Sequence, residues 1–229
     1  MTVNAGFRKR DDIAGVVLAG GRNTRFPIQK GFIRIDGAAI IERDISIMRP
    51  FFREVMISTN MPEAYFYLGA PLVGDVLPSN GPMSGIYTAL INSCGAAVFV
   101  VACDMPFIDP GVMSLVCDKH EALAIKECCD ATIPIFNGEP QPLLGIYRDT
   151  ALPVLESGIL TDRAAMKPFL GEIRTHYIDE SDVRAVDPEG RSFININTEA
   201  DFNVVMCRQG RAFSDGRERR EFNIQEGAC

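Results

Sequence analysis

The 229-residue sequence lacks any apolar run long enough to cross a bilayer. The apolar stretches Ile13 to Gly21 and Gly95 to Cys103 cover nine residues each, half of the ~18 that a spanning helix needs. No transmembrane helix and no membrane partner are expected. Its seven cysteines are odd in number and include no C-x-x-C pair, which excludes a disulfide-stapled secreted scaffold and points to a reduced compartment. Cys128 and Cys129, with His120 nearby, match no zinc spacing, so burial is the expected fate and no structural metal is assigned. A dominant positive charge is missing too. Thirty acidic residues face 23 Lys and Arg, for a net charge of −7, which argues against a nucleic-acid or anionic-membrane surface. The basic residues Arg8, Lys9 and Arg10 run straight into Asp11 and Asp12 without a leader-like apolar stretch. The expectation is therefore a mature chain equal to the whole chain, in the cytoplasm.

Against that acidic background, one segment is cationic. Between Asp12 and Asp36 no acidic residue occurs, yet Arg22, Arg25, Lys30 and Arg34 do. Gly20 and Gly21 precede them, directly after the apolar run. A solvated turn accounts for the charges but not for the two glycines. Glycine accepts the backbone angles that turn N–H groups inward as an anion nest. A second anomaly is a charge desert: from Asp75 to Asp104 no charged residue intervenes. Asp104 thus ends a long buried stretch as a solitary carboxylate, which suits a divalent cation.

Apolar and turn patterning alternates strands with helices. Strands are expected at Ile13 to Ala19, Glu54 to Thr59, Leu72 to Val76, Ala96 to Ala102, Ala131 to Phe136, Leu143 to Tyr147, Ile173 to Ile178 and Phe193 to Asn195. Helices are expected at Ala38 to Phe51, Pro62 to Leu68, Pro82 to Asn92, from Pro110 to Lys119, Asp162 to Leu170 and from Thr198. This order implies right-handed βαβ units and an α/β fold of three layers, a mostly parallel sheet with helices on both faces. One domain over residues 13–206 is expected, preceded by an arm (1–12). A mobile or loosely docked tail (207–229) would follow, rich in Arg208, Arg211, Arg217, Arg219 and Arg220. In such sheets ligands bind beyond the carboxyl ends of the strands, where the Gly-Gly loop and Asp104 both fall.

The loop is neither a dinucleotide fingerprint nor a Walker loop, since Lys30 is followed by Gly31 and Phe32. What remains is a backbone that a nucleotide can approach, Arg25 able to fork onto phosphate oxygens, and Lys30 as a point charge on the same polyphosphate.

"LAGGRNTRFPIQK" resembles the signature of the molybdenum cofactor guanylyltransferases, nucleotidyltransferases with a glycosyltransferase-A-like, Rossmann-like fold. The resemblance continues in order through "STN", "GDVLPSNGPMSGIYTAL", "CDMPFI", "QPLLGIYR" and "FININTEADF". It implies transfer of GMP from GTP to the terminal phosphate of molybdopterin, with release of pyrophosphate. Carried over, Leu18, Ala19, Gly20 and Gly21 approach the nucleotide, and Arg25 and Lys30 hold its triphosphate. Asn60 and Asp75 read or brace the guanosine, Asp104 holds Mg2+, and Asn195 and Asn197 face the pterin half. Molybdoenzymes or other cofactor-biosynthesis proteins are the implied partners.

Chemistry agrees at several points. A carboxylate such as Asp75 can accept from guanine N1–H and N2–H, a pattern that cytosine lacks. A phosphate nucleophile is already ionised near neutrality, so no general base is required. His120 and His176 are accordingly expected to be surface or packing residues. Asn197 has two readings, a pterin ligand or, with Thr198 as the alternative, the N-cap of the last helix with Asp201 in the capping-box position. The sequence departs from the family at Phe26-Pro27, where methionine and glycine are usual, and proline removes an amide donor. Three functions follow for comparison: guanylyl transfer, nucleotidyl transfer with CTP or another acceptor such as a sugar or cobamide phosphate, and non-catalytic cofactor binding.

Overall fold

A computed structural model describes residues 8–20, 30–78, 81–124, 129–163, 165–198 and 201. Strand β1 (Ile13–Leu18) is buried at every position. After the loop comes a small antiparallel pair, β2 (Arg34–Ile35) and β3 (Ala38–Ala39), and then α1 (Ile40–Met48). Asp36 and Gly37 turn the pair with positive φ of 52° and 84°, the geometry that takes up part of the helix expected from Ala38. β4 (Val55–Ser58), β5 (Leu72–Val73), α2 (Pro82–Asn92), β6 (Ala97–Ala102) and α3 (Pro110–Ala124) follow. Two 3-10 turns, Pro62–Ala64 and Phe66–Leu68, replace the helix expected there. The rest comprises β7 (Ala131–Phe136), β8 (Glu139–Pro140), β9 (Leu144–Arg148), α4 (Leu152–Leu160), α5 (Met166–Glu172), β10 (Thr175–Ile178) and α6 (Glu180–Val186).

Seven strands form the path β10-β7-β9-β6-β1-β4-β5, with β8 added on β7. β9 runs antiparallel to both β6 and β7, while β6, β1, β4 and β5 are mutually parallel, as are β7 and β10. The reversal follows from chain length: the seven residues between β7 and β9 are too few for a crossover, which takes a dozen or more. Phe193–Asn195 is not a strand. Phe193 N donates to Gly190 O at 3.1 Å and Ile194 N to Arg191 O at 3.2 Å, closing a 3-10 turn over Arg191–Phe193.

The core is two-sided. Along β6, Ala97, Phe99 and Val101 pack with α1, α3 and α6, whereas Val98 and Val100 pack with α2, α4 and α5. This period-two division explains why β1 and β6 are unbroken apolar runs. At Gly15 a Cβ would lie 2.8 Å from Phe52 Cδ2 and 2.9 Å from Met48 Cε, so glycine makes room for the Phe52 ring. Among the described residues no helix is long and apolar enough to cross a membrane.

Candidate functional site

Parallel pairing brings the carboxyl ends of β1, β4, β5 and β6 to one edge. Ala19 N donates to Ser58 O at 2.8 Å, Thr59 N to Val73 O at 2.8 Å and Cys103 N to Leu18 O at 3.1 Å, so these ends are locked in register. The chain leaves β1 toward β4 and β5 and returns to β6 on the other side. The crevice between the ends of β1 and β6 is therefore the topological switch point, where open α/β sheets bind ligands. Leu18, Ala19 and Gly20 form one lip and Asp104 the other.

The two lips are joined by Lys30. Its Nζ donates to Asp104 Oδ2 at 3.0 Å and to Asn197 Oδ1 at 2.7 Å. The side chains of Lys30 and Asp104 are only 20% and 19% exposed, so the pair is partly shielded from water. Asn197 reaches this point because Ile196 N donates to Asp104 O at 2.9 Å. Its backbone N–H is also held by Asp201 Oδ2 at 2.9 Å. The capping alternatives resolve onto Thr198: Asp201 N donates to Thr198 Oγ1 at 3.2 Å and Thr198 N to Asp201 Oδ2 at 2.8 Å. That reciprocal box leaves the Asn197 carboxamide free for Lys30. Asn195 is exposed and, among the described residues, takes no part in the network.

On the β4–β5 side, Asn60 and Asp75 exchange two hydrogen bonds. Asn60 Nδ2 donates to Asp75 Oδ2 and Asp75 N to Asn60 Oδ1, both at 2.8 Å. Among the described residues, a Cβ on Gly20 would meet nothing nearer than Ser58 O at 4.0 Å, so their packing does not demand glycine there. Gly21 and Arg25, together with Arg22 and Pro27, lie outside the described residues.

One carboxyl at the site escaped the sequence reading. Asp44, on α1, is 1% exposed and its Oδ2 has no hydrogen-bond partner among the described residues. Burial pushes its pKa well above the carboxylate range, Arg43 opposes the shift and the Asp104 charge adds to it. A neutral Asp44 leaves Asp104 and Asp201 as the carboxylates that act on Lys30. The signal was available, since position 44 falls one turn from Ile40, Ile41 and Met48 on the apolar face of α1. Next to Asp104, burial pushes the Cys103 thiol up to about 12, so it stays protonated and inert at neutral pH.

The histidines stand apart. His120 is a core residue rather than a surface one, 3% exposed, with Nδ1 2.9 Å from Thr132 Oγ1. It lines a cavity with Ile13, Ala96 and Ala97, at the opposite end of β1 and β6 from Asp104. His176 is on β10, the far edge strand. Cys129 is buried with its Sγ 3.7 Å from Thr132 Oγ1, and Cys128 lies outside the described residues.

Asp104 Oδ2 and Asn197 Oδ1 converge on one ammonium, which stands where a small cation would be held by hard oxygen ligands. Among the described residues no group of three or more His, Cys, Asp or Glu could hold a metal ion. A divalent cation at this point would take Asp104 and complete its shell with water and phosphate, the habit of magnesium.

The MobA-like NTP transferase domain matches residues 15–176. A relative from Pelotomaculum thermopropionicum named "Probable molybdenum cofactor guanylyltransferase" is 32% identical over 187 residues, covering 82% of this chain and 88% of its own. The molybdenum cofactor guanylyltransferase of Desulfosudis oleivorans is 30% identical over 189 residues, covering 82% and 91%. The crystal structure of molybdopterin-guanine dinucleotide biosynthesis protein A from Archaeoglobus fulgidus superposes with a TM-score of 0.72 at 28% identity, over 86% of this chain and 99% of that one. With the match running from β1 into β10, over more than half of the chain, the chain belongs to the family of MobA-like NTP transferases.

Proposed function

We propose that the chain transfers the guanylyl group of GTP to the terminal phosphate of a molybdopterin-type acceptor. The observation that carries this reading is the meeting of Lys30, Asp104 and Asn197 at the switch point, beside the Asn60–Asp75 pair. The names of the relatives supply the acceptor class and the base.

An acceptor phosphate oxygen attacks the α-phosphorus of GTP in line, and the bond to the bridging oxygen of the β-phosphate breaks to release pyrophosphate. Two anions must approach, so catalysis is mostly positioning and charge neutralisation. Lys30 offers its ammonium to the triphosphate, with Arg25 as a second cation from the loop. Gly20 and Gly21 let the nucleotide lie against the backbone. Asp75, oriented by Asn60, accepts from guanine N1–H and N2–H, while Asn197 and Asn195 face the acceptor. Mg2+ held by Asp104 would supply Lewis-acid stabilisation of the phosphate oxygens. A histidine base is not needed, in keeping with the burial of His120 at the other end of the sheet.

The test is pyrophosphate release from GTP with Mg2+ and molybdopterin. No release above background, under conditions where GTP binding is demonstrated, defeats the enzyme reading. Tighter binding of CTP than of GTP would replace guanylyl by cytidylyl transfer. Asp104→Asn should fold normally and lose roughly 10²-fold or more of the metal-dependent turnover, as when one preorganised electrostatic partner is removed.

A further inference from the structure

We propose that Lys30 is the resident counter-cation of Asp104, which a divalent cation gains only together with nucleotide phosphates that take over the lysine ammonium. The inference rests on the nucleotidyl-transfer reading and adds to it an order of arrival: metal enters as its nucleotide complex, not as a preloaded ion.

The geometry is that of an occupied cation position. Nζ lies 3.0 Å from Asp104 Oδ2 and 2.7 Å from Asn197 Oδ1, so the two oxygens that would ligate a metal are already spent on an ammonium. The backbone that carries the two acceptors is held by contacts that do not involve Lys30. Ile196 N is bonded to Asp104 O at 2.9 Å, and Asn197 N to Asp201 Oδ2 at 2.9 Å. The pair is about four-fifths buried on both sides, which strengthens its attraction beyond that of a fully exposed pair.

A bare divalent ion meets two obstacles here. It must displace the ammonium, leaving a partly buried Lys30 without a counter-charge. It must also assemble about six oxygen ligands from one carboxylate, a carboxamide and water, because the described residues offer no cluster of three or more acidic, His or Cys groups. A triphosphate removes both obstacles at once. Its oxygens complete the metal shell and its charge receives Lys30. One ion pair is broken and two are formed, Lys30 with phosphate and Asp104 with the metal. By linkage, nucleotide and metal must then strengthen each other's binding equally.

Mn2+ serves as the probe, titrated into the full nucleotide-free chain and followed by paramagnetic resonance of the free ion. Lys30→Gln should bind Mn2+ about fivefold more tightly than the wild type, the effect of removing a competing ion pair at the upper end of the exposed range. Lys30→Met, which keeps the side-chain stem, is the second variant should Lys30→Gln not fold, and should show the same gain. Lys30→Arg should remain as weak as the wild type. The gain must vanish in Lys30→Gln/Asp104→Asn. Unchanged or weaker Mn2+ binding in the charge-removing variants overturns the proposal, and so does a gain that survives loss of Asp104. The underlying reading fails separately: if a fluorescent GTP analogue shows no Mn2+-dependent binding to the wild type, the nucleotidyl-transfer assignment falls, whatever Lys30 does.

Discussion

Asn60 and Asp75, each two residues beyond the carboxyl ends of the neighbouring parallel strands β4 and β5, close a two-bond ring in which the carboxamide donates to Asp75 Oδ2 and accepts from Asp75 N, each at 2.8 Å. The ring fixes the carboxylate before any base arrives, so ordering it on binding costs little. Asn60→Ala should raise the KM for GTP about tenfold with kcat nearly unchanged, the signature of lost uniform binding. Asp75→Asn should lower the GTP-over-CTP preference by about tenfold, one hydrogen bond to a charged group. Steady-state kinetics with both nucleotides measures both effects. An Asn60→Ala enzyme with wild-type KM would remove the bracing role.

Asp44 makes a pH prediction with a definite sign. Its folded pKa is raised, so as pH climbs above the ordinary carboxylate value of about 4 the unfolded chain releases this proton while the folded chain keeps it. The unfolded state is favoured, and the penalty grows until the folded carboxyl itself ionises. Asp44→Asn removes the titration while keeping the shape. It should be more stable than the wild type at pH 7, with the difference closing toward pH 4, in urea denaturation at both pH values. A gap that widens on acidification contradicts the buried neutral carboxyl.

His120 acts at the other end of the sheet and in the opposite sense. Burial, with Arg148 adding to it, lowers its pKa from 6.5 to about 4. Between those values the unfolded chain binds a proton that the folded chain refuses, so stability falls as pH drops from 6.5 toward 4. The slope amounts to roughly 2 kcal/mol between pH 6.5 and pH 5. His120→Asn, whose amide can replace Nδ1 at Thr132 Oγ1, should flatten that part of the stability profile. A profile identical to the wild type would mean that the imidazole is not buried neutral.

How much of this was legible in the sequence depends on whether a residue's partner is local. The runs at β1 and β6 declare themselves because both faces are buried, and the charge desert ending at Asp104 marks a strand end without any knowledge of its neighbours. The reversal of β9 was also written locally. Asn137 and Gly138 both take positive φ, 52° and 73°, as an Asn-Gly hairpin turn requires, a local signal that the expectation of a mostly parallel sheet did not use. Helix α4 was not among the expected helices, and it contains Pro153 and Gly158, residue types that ordinarily interrupt a helix. Proline is tolerated in its first turn, and at Gly158 a Cβ would lie 2.8 Å from Met83 Cε. The alternation in Ile194-Asn195-Ile196-Asn197 was real, with Ile196 buried and both asparagines exposed, but burial alone does not make a ladder. That Lys30 meets Asn197, 167 positions away, could not be read from either segment.

Gly85 tests whether helix α2 sets the positions of the strand ends. A Cβ there would lie 2.8 Å from Ser58 Oγ and 2.9 Å from Leu18 Cδ2, the last residues of β4 and β1. Alanine in a helix gains up to ~1 kcal/mol over glycine, whereas overpacking a closed site costs ~1–3 kcal/mol. The second effect should win, so Gly85→Ala should lose about 1 kcal/mol of stability and raise the KM for GTP, although residue 85 belongs to no nucleotide contact proposed above. Gly171→Ala is the control. That position, in α5, has among the described residues outside its own helix backbone no atom within 4 Å of an added Cβ, so only the favourable helix and unfolded-chain effects remain and stability should rise by about 0.4–1 kcal/mol. Denaturant midpoints of the two variants must move in opposite directions. If both rise, α2 has slack against β1 and β4, and the strand ends are held by the sheet alone.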